Sequence, residues 1–282
     1  MIKKIICCAD LHIRNLRRQE EYKQQLQLFI DKCKEIASQY EEGEVRIVIA
    51  GDILHNKIDI SAEAYVFTVW FLRQLDKIAK TIVFAGNHDM NMSNLSRLDP
   101  LSMIFSSCKF NQVYYLDKEL NYESGTLEDD NIVWCLYSSF DNFTPPCILD
   151  VRDYHFRNGI DDTNVRYVGL FHGELKSAKT DTGYASENGL SPEYFDGIDI
   201  GLLGHIHKRQ CIKNNGIPLI YCGSLIQQDH GENISGHGFI VVDVETCEYE
   251  SIDLPNNEYG FYTFTINDIE DIDNDKEEII NL

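Results

Sequence analysis

Three polar side chains suited to acid–base chemistry and metal binding follow an apolar run early in the chain. Residues 81–85 have the character of a buried strand, and Gly86, Asn87, His88 and Asp89 come directly after it. A turn would account for the glycine and the asparagine, because both residue types tolerate positive φ. A turn alone does not explain the imidazole and the carboxylate that come next. The other interpretation is that all three side chains face one ligand.

Similar clusters follow four other apolar runs. Each holds Asp or His, nearly always beside a glycine: Asp10-Leu11-His12, Gly51-Asp52-Ile53-Leu54-His55, His172-Gly173 and Gly204-His205-Ile206-His207. Six of the nine histidines fall in the five clusters. A single buried histidine is more often a satisfied core residue than a ligand, but five clusters in equivalent positions favour one shared site.

The elements before these clusters are predicted to be strands of one sheet. Residues 21–37 have apolar side chains at helical spacing, and 61–80 is predicted as a second helix with Ser61 as its N-cap. Strands are predicted at the N-terminus, at 45–50 and at 81–85. Alternation of strands and helices implies crossover connections and a largely parallel sheet. Ligands bind outside the carboxyl ends of such strands, so the clusters are expected to converge.

After residue 110 the pattern changes to short apolar runs separated by turns, with few helices. We predict strands at 113–116, 132–137, 167–171, 198–203, 218–222, 238–244, 248–254 and 261–266. These strands predict a second sheet packed on the first. The fold class is therefore α/β (α+β) with two packed mixed sheets.

The donor atoms of the clusters favour a hydrolytic metal site. Asp, Asn and His supply oxygen and imidazole nitrogen without thiolate, which selects Mn²⁺, Fe or Zn²⁺. His205 and His207 are two residues apart, so on an extended segment both rings point to the same side. One carboxylate can bridge two ions about 3.5 to 4 Å apart, the spacing of two-metal hydrolytic sites.

The composition excludes several classes of protein. The chain has 46 acidic and 25 basic residues and a formal net charge of -21, which argues against a broad basic face for nucleic acid. A metal-dependent nuclease remains compatible, because bound cations offset the acids that hold them. No apolar run reaches the roughly 18 to 20 residues that span a bilayer. Nine scattered cysteines without a CxxC pair indicate buried reduced thiols and a cytoplasmic protein.

In chain order, D-x-H, G-D, G-N-H-D, H and G-H-x-H between residues 10 and 207 resemble the motifs of the calcineurin-like metallophosphoesterases. ADLHI, GDILH, GNHDM and YCGSLIQQDHGE (221–232) resemble the SbcD-type nuclease subunit of DNA double-strand-break repair complexes and its phage recombination relatives. Phosphatases of the superfamily tend to have Glu where this chain has Asp89. The resemblance implies a four-layer αββα sandwich.

The resemblance also implies roles for individual residues. One metal site would comprise Asp10, His12, Asp52 and His207, and the other Asp52, Asn87, His172 and His205, with Asp52 bridging the ions. His88 would face the scissile phosphate, and His55 would support it. The basic side chains near the motifs that we expect to contact the DNA backbone are Arg14, Lys57, Arg97 and Lys208. Each basic residue taken alone is better explained as a surface charge.

By the same resemblance the protein is expected to be a two-metal DNA nuclease of repair and recombination. Mn²⁺ is the expected metal, with Mg²⁺ or Fe as alternatives, and a metal-activated hydroxide would attack the phosphodiester. The expected activities are 3′→5′ exonuclease and single-strand endonuclease. A phosphatase or nucleotide phosphohydrolase on the same fold is an alternative. A non-catalytic scaffold is another, although it predicts lost ligands and none is lost here.

Domains and partners complete these expectations. Residues 1–254 are predicted as the nuclease domain, and 255–282 as the start of a small capping domain or an acidic tail. Helix 61–80 and residues 95–105 carry surplus apolar surface, which a place in the core explains equally well; the resemblance implies a homodimer joined there. DNA and a Rad/SbcC-type SMC-like ATPase are the other expected partners. A phage-encoded protein would act in the host cytoplasm.

Overall fold

The computed structural model describes residues 1–15, 17–57, 59–256 and 258–262. Within these ranges the chain forms twelve β-strands and five α-helices, besides two short 3₁₀ helices. The strands are β1 (Lys4–Cys8), β2 (Val45–Ala50), β3 (Lys80–Phe84), β4 (Val113–Tyr115), β5 (Gly125–Asp129), β6 (Ile132–Tyr137), β7 (Arg166–His172), β8 (Ile200–Gly204), β9 (Gln210–Asn214), β10 (Ile217–Tyr221), β11 (Gly238–Asp243) and β12 (Tyr249–Asp253). The helices are α1 (Gln19–Ala37), α2 (Ala62–Leu75), α3 (Pro100–Ser107), α4 (Leu116–Glu119) and α5 (Ile148–Arg157). The strand predicted at 261–266 extends outside the described residues.

The strands form two mixed sheets of six. The first has the order β12-β11-β1-β2-β3-β4, in which β1 to β4 are parallel and β11 and β12 are antiparallel. The second has the order β5-β6-β7-β8-β10-β9, with parallel strands in the middle and antiparallel strands at both edges. The predicted pair of mixed sheets is confirmed, and parallel strands of both sheets end in the histidine clusters.

Three apolar cores separate four layers. In β2 every residue is buried: Ile47 and Ile49 face the core beneath α1 and α2, whereas Val48 faces the core between the sheets. Burial on both faces explains the continuous apolar run of this strand. A third core lies on the outer face of the second sheet, where Ile148 of α5 and Phe195 pack. The layers are therefore helices, sheet, sheet and helix, which confirms the αββα sandwich.

The second helix starts where the sequence predicts and ends earlier. The Ser61 hydroxyl accepts a hydrogen bond from the backbone N–H of Ala64, so Ser61 is the N-cap. The helix ends at Leu75 rather than at residue 80, because the Asp76 carboxylate accepts the backbone N–H groups of the segment before β4. Among the described residues, no helix combines the length and apolar character required to cross a membrane.

Candidate metal centre

The loops that follow five strands meet at one edge of the sandwich. The backbone N–H of Asp10 donates to the Gly51 carbonyl at 3.1 Å, and that of His12 donates to the Asp52 carbonyl at 2.9 Å. The second sheet joins through His205, whose backbone N–H donates to the Asp10 carboxylate at 3.0 Å. The five clusters identified in the sequence thus share one location.

Two glycines permit this close approach. A Cβ atom on Gly86 would lie 2.2 Å from Asp52 Oδ1, and one on Gly204 would lie 2.0 Å from the Ala50 carbonyl oxygen. Both distances are far shorter than any real contact, so a side chain at either position would force the loops apart. These glycines therefore let the backbone segments approach each other.

The backbone of four predicted ligands has an uncommon conformation. Asp10, His12, Asp52 and His205 have φ angles of 53°, 48°, 52° and 92°, all in the left-handed region. For residues other than glycine this conformation is uncommon and costs about 1 to 3 kcal/mol. The packed strands on either side hold these residues in place, and the conformation directs their side chains into the cluster.

The first group of ligand atoms belongs to Asp10, His12 and His207, and all of them lie within 4.8 Å of one another. The Nε2 atoms of His12 and His207 are 3.1 Å apart. His207 Nε2 is also 3.8 Å from Asp10 Oδ1. The contact between His12 and His207 joins two ring nitrogens, so at least one of them presents a lone pair to the centre of the group.

The second group belongs to Asp52, His172 and His205, again within 4.8 Å. His172 Nε2 lies 3.2 Å from Asp52 Oδ2, and the same oxygen is 3.5 Å from His12 Nε2 in the first group. The Asn87 side-chain oxygen lies 2.8 Å from His205 Nδ1. Asp52 therefore stands between the two groups, and all seven predicted ligands lie together.

The donor set fits divalent cations. His172 Nδ1 lies 2.8 Å from the Ala50 carbonyl, which can only accept, so Nδ1 carries a proton and Nε2 faces Asp52 and Asp10. Within the described part of the chain, His172 Nε2 and His12 Nδ1 are buried side-chain atoms without a hydrogen-bond partner. Imidazole nitrogens and carboxylate oxygens that face one another are the ligands of Mn²⁺, Fe or Zn²⁺.

The electrostatics of the cluster support the same assignment. Burial lowers the pKa of His12, so its ring is neutral and able to coordinate. Burial alone would also lower the pKa of His172, but the Asp52 carboxylate outweighs it and raises this pKa to about 9. A proton on His172 thus balances Asp52, and a bound cation would displace that proton.

His88 and His55 lie beside the first group. His88 Nδ1 donates to the His55 carbonyl oxygen at 2.6 Å, so its Nε2 remains available to a substrate. The backbone N–H of His88 donates to Asp52 Oδ1 at 2.7 Å, and its ring lies 4.7 Å from that of His12. His55 therefore orients His88 through its backbone, and the two rings also stack at 5.4 Å.

The four predicted DNA contacts have different positions. Arg14 donates to His55 Nε2 at 3.2 Å and to Gln228, so it supports the histidines; burial and this cation lower the pKa of His55 to about 4. Lys208 lines a cavity of about 330 Å³ next to His205 and His207. Lys57 and Arg97 are exposed loop residues, and no contact within the described chain joins them to the cluster.

Two acidic residues of the site were not assigned a role from the sequence. The buried Asp89 carboxylate accepts the backbone N–H groups of Ile53, Leu54 and Gly86, and so ties the loops after β2 and β3 together. Glu232 contacts His207, as described below. The available signals were the acidic residue that completes GNHD and the final Glu of YCGSLIQQDHGE, but neither reveals its partner.

The family model for calcineurin-like phosphoesterases matches residues 3–209 of the chain. The chain belongs to this family. The converging Asp, Asn and His side chains are therefore the candidate metal centre of a calcineurin-like phosphoesterase. The family hydrolyses phosphoesters with divalent metals, and the His and Asp groups described above are suited to hold such ions.

Individual relatives add little on activity. A protein of Acanthamoeba polyphaga mimivirus, called uncharacterized protein R555, is 36% identical over 269 residues, which cover 95% of this chain. The chain spans 19% of that relative's length.

The solved structures that resemble this chain share little sequence identity with it. An archaeal phosphodiesterase has 15% identity and a TM-score of 0.40, covering 89% of this chain and 99% of its own. A putative 5′-nucleotidase from Staphylococcus aureus has 14% identity and a TM-score of 0.49, covering 99% of this chain and 58% of its own. Similarities this low carry no argument about substrate.

Proposed function

We propose that this metallophosphoesterase is a two-metal DNA nuclease of repair and recombination, with 3′→5′ exonuclease and single-strand endonuclease activity. The observation that supports it is the position of residues 221–232, whose sequence resembles SbcD-type nucleases. The backbone N–H of Ser224 donates to the His207 carbonyl at 3.0 Å, and Glu232 contacts the His207 ring. The segment that distinguishes the subfamily is therefore in direct contact with the candidate metal centre.

The proposed ligands follow the two groups of donor atoms. Asp10, His12 and His207 would hold one ion, Asn87, His172 and His205 would hold the other, and Asp52 would contribute to both. Two bound divalent cations, Mn²⁺ by the resemblance and Mg²⁺ or Fe as alternatives, would supply a water of lowered pKa and positive charge for the phosphoryl oxygens.

His88 is the proposed general acid. Because His88 Nδ1 donates a hydrogen bond to the His55 carbonyl, Nε2 is the atom of this ring that is able to give a proton to the leaving oxygen. The backbone carbonyl of His55 fixes the position of this ring, and Arg14 in turn contacts the His55 imidazole. Lys208 at the cavity wall is the predicted cation best placed to contact a phosphate of the DNA backbone, while Lys57 and Arg97 would contact DNA farther out.

The decisive experiment is a nuclease assay on metal-stripped protein supplied with Mn²⁺. Single-stranded and duplex DNA labelled at the 5′ end should give a ladder of fragments shortened from the 3′ end, and circular single strands should be nicked. Asp52→Ala is the control for a contaminating nuclease. Hydrolysis of nucleotides or phosphomonoesters without cleavage of DNA would favour the phosphatase alternative. Failure to bind metal would favour the scaffold.

A homodimer is the proposed assembly. On helix α2 the side chain of Val66 is 64% exposed, and the neighbouring Phe67 ring stacks on Trp70. Leu98, in the loop before α3, is 70% exposed. Exposed apolar side chains on these two segments suit a small helical interface. Light scattering should give twice the monomer mass, and Val66→Asp with Leu98→Asp should reduce it. An SMC-like ATPase partner is proposed on the resemblance alone, and co-purification with such a subunit tests it.

A further inference from the structure

We propose that Glu232 is a positioning residue that fixes the tautomer and orientation of the His207 ring, and so sets the affinity of one of the two metal sites. The inference rests on the proposed two-metal centre and names a residue that the metal-ligand motifs do not include. It predicts an asymmetry: the site that contains His207 depends on Glu232, whereas the site that contains His172 does not.

The Glu232 carboxylate is held at both oxygens. Its Oε1 atom lies 2.5 Å from His207 Nδ1. Its Oε2 atom accepts the backbone N–H of Gln228 at 2.8 Å and a longer hydrogen bond from the Ser224 hydroxyl at 3.5 Å. The side chain is only 9% exposed. A carboxylate fixed in this way cannot rotate away from the imidazole.

The hydrogen bond determines which nitrogen of His207 can coordinate. A carboxylate only accepts, so His207 Nδ1 must carry the proton. The lone pair is then on Nε2, the atom that lies 3.1 Å from His12 Nε2 and 3.8 Å from Asp10 Oδ1. A carboxylate behind a ligating histidine also raises the basicity of the ring and strengthens its bond to a metal.

The other site achieves the same result differently. His172 Nδ1 donates to the backbone carbonyl of Ala50, which belongs to the central strand β2. No side-chain substitution removes that acceptor. His207 relies instead on a side chain from a segment 25 residues further along the chain. A change at Glu232 should therefore weaken one metal site and leave the other unchanged.

The first test measures Mn²⁺ binding to the full chain by calorimetry and by the electron paramagnetic resonance signal of free Mn²⁺. Glu232→Gln should lower the affinity of one site about 10- to 100-fold, the usual effect of losing a partner behind a metal ligand. Asp229→Asn is the matched control, because among the described residues this exposed carboxylate on the same segment accepts only a local hydrogen bond from Gly231. The control should bind two ions as the wild type does, and thermal unfolding verifies that both variants are folded.

The second test determines which nitrogen of the His207 ring is protonated and which one coordinates the metal. In Zn²⁺-loaded wild-type protein with ¹⁵N-labelled histidine, long-range ¹H–¹⁵N correlations should show His207 protonated at Nδ1 and coordinated through Nε2. Coordination through Nδ1 would overturn the inference, and this measurement decides it even if Glu232→Gln fails to fold. In a His207→Ala background, Glu232→Gln should cause no further loss of Mn²⁺ affinity. A further loss would mean that Glu232 acts by another route.

These outcomes separate the inference from the proposed function. If the wild type binds two Mn²⁺ ions and Glu232→Gln binds both equally well, only the role of Glu232 is wrong. If the wild type binds no Mn²⁺, the proposed two-metal nuclease function and the proposed role of Glu232 are both wrong.

Discussion

Two buried clusters of charged and polar groups lie at opposite ends of the same sandwich, and they are built in opposite ways. At one end, the Asp129 carboxylate accepts hydrogen bonds from Arg46 at 2.8 and 3.0 Å, from Lys80 at 2.9 Å and from Trp134 at 3.2 Å. At the other end, Asp52 is surrounded by imidazoles and one backbone N–H. Strand β2 connects the two, with Arg46 near its start and Asp52 just after its end, roughly 20 Å apart at the rise of an extended chain.

The difference between the two clusters shows that a buried carboxylate requires groups that compensate its charge. Burial would raise the pKa of Asp129, but hydrogen bonds from Arg46 and Lys80 outweigh it and lower the pKa to about 2. In that cluster two cations and the Trp134 N–H satisfy both oxygens of one carboxylate, so it needs no ligand. The cluster around Asp52 consists of groups that coordinate cations, with buried ring nitrogens that have no partner among the described residues. A closed network stabilises the fold, whereas an open one binds a metal.

The largest expected effect is that of Asp52→Ala. Removing the shared carboxylate would bring two cations together without compensating charge, so at least one metal should be lost and hydrolysis should be abolished. Metal analysis of purified protein and the nuclease assay measure both. Retention of two ions with normal activity would show that Asp52 does not bridge them.

His88→Ala should slow cleavage by about 10² to 10⁴, the usual contribution of a general acid, while metal content stays unchanged. The reason is that His88 lies beside the proposed ligands and its Nδ1 is bonded to the His55 carbonyl. Single-turnover cleavage rates and metal analysis of the same preparation give the two quantities. Recovery of the rate with excess Mn²⁺ would identify His88 as a ligand instead.

Asp129→Asn should act on stability alone. Leaving Arg46 buried without its carboxylate is expected to lower the free energy of unfolding by about 3 to 5 kcal/mol, with unchanged Mn²⁺ affinity. Because the pKa of Asp129 is lowered from 3.8 to about 2 in the folded state, its contribution is full above the unfolded pKa and is lost as pH falls through about 2. Denaturant unfolding at several pH values should show the difference between wild type and variant shrinking below about pH 4. A loss of metal affinity would contradict the separation of the two clusters.

Asn87→Ala should have the smallest effect. A neutral amide is a weak ligand, so its removal is expected to weaken one metal site, and added Mn²⁺ should partly restore activity. Mn²⁺ dependence of the cleavage rate, compared with wild type, measures the shift. A rate that no Mn²⁺ concentration improves would place Asn87 on the substrate side of the centre.

Local sequence patterns predict the identity of the donor atoms and their convergence. Each cluster directly follows an apolar strand, so its position at the carboxyl edge is a local property that strand periodicity and crossover connections predict. The same local rules predicted two mixed sheets and the N-cap at Ser61, although they extended α2 beyond Leu75 because the contacts of Asp76 with residues 111 and 112 are not local.

The pairing of these groups depends on contacts between distant parts of the chain. His12 and His207 meet across 195 residues, and Glu232 reaches His207 only because residues 224–232 fold back over the loop after β8. Arg14 stays a predicted DNA contact, and the structure adds that its guanidinium donates to His55 and Gln228, which the sequence did not indicate. Sequence pattern reports which side of a strand or helix a residue occupies. Partners of a side chain depend on how the two sheets pack, and that packing is a property of the whole chain.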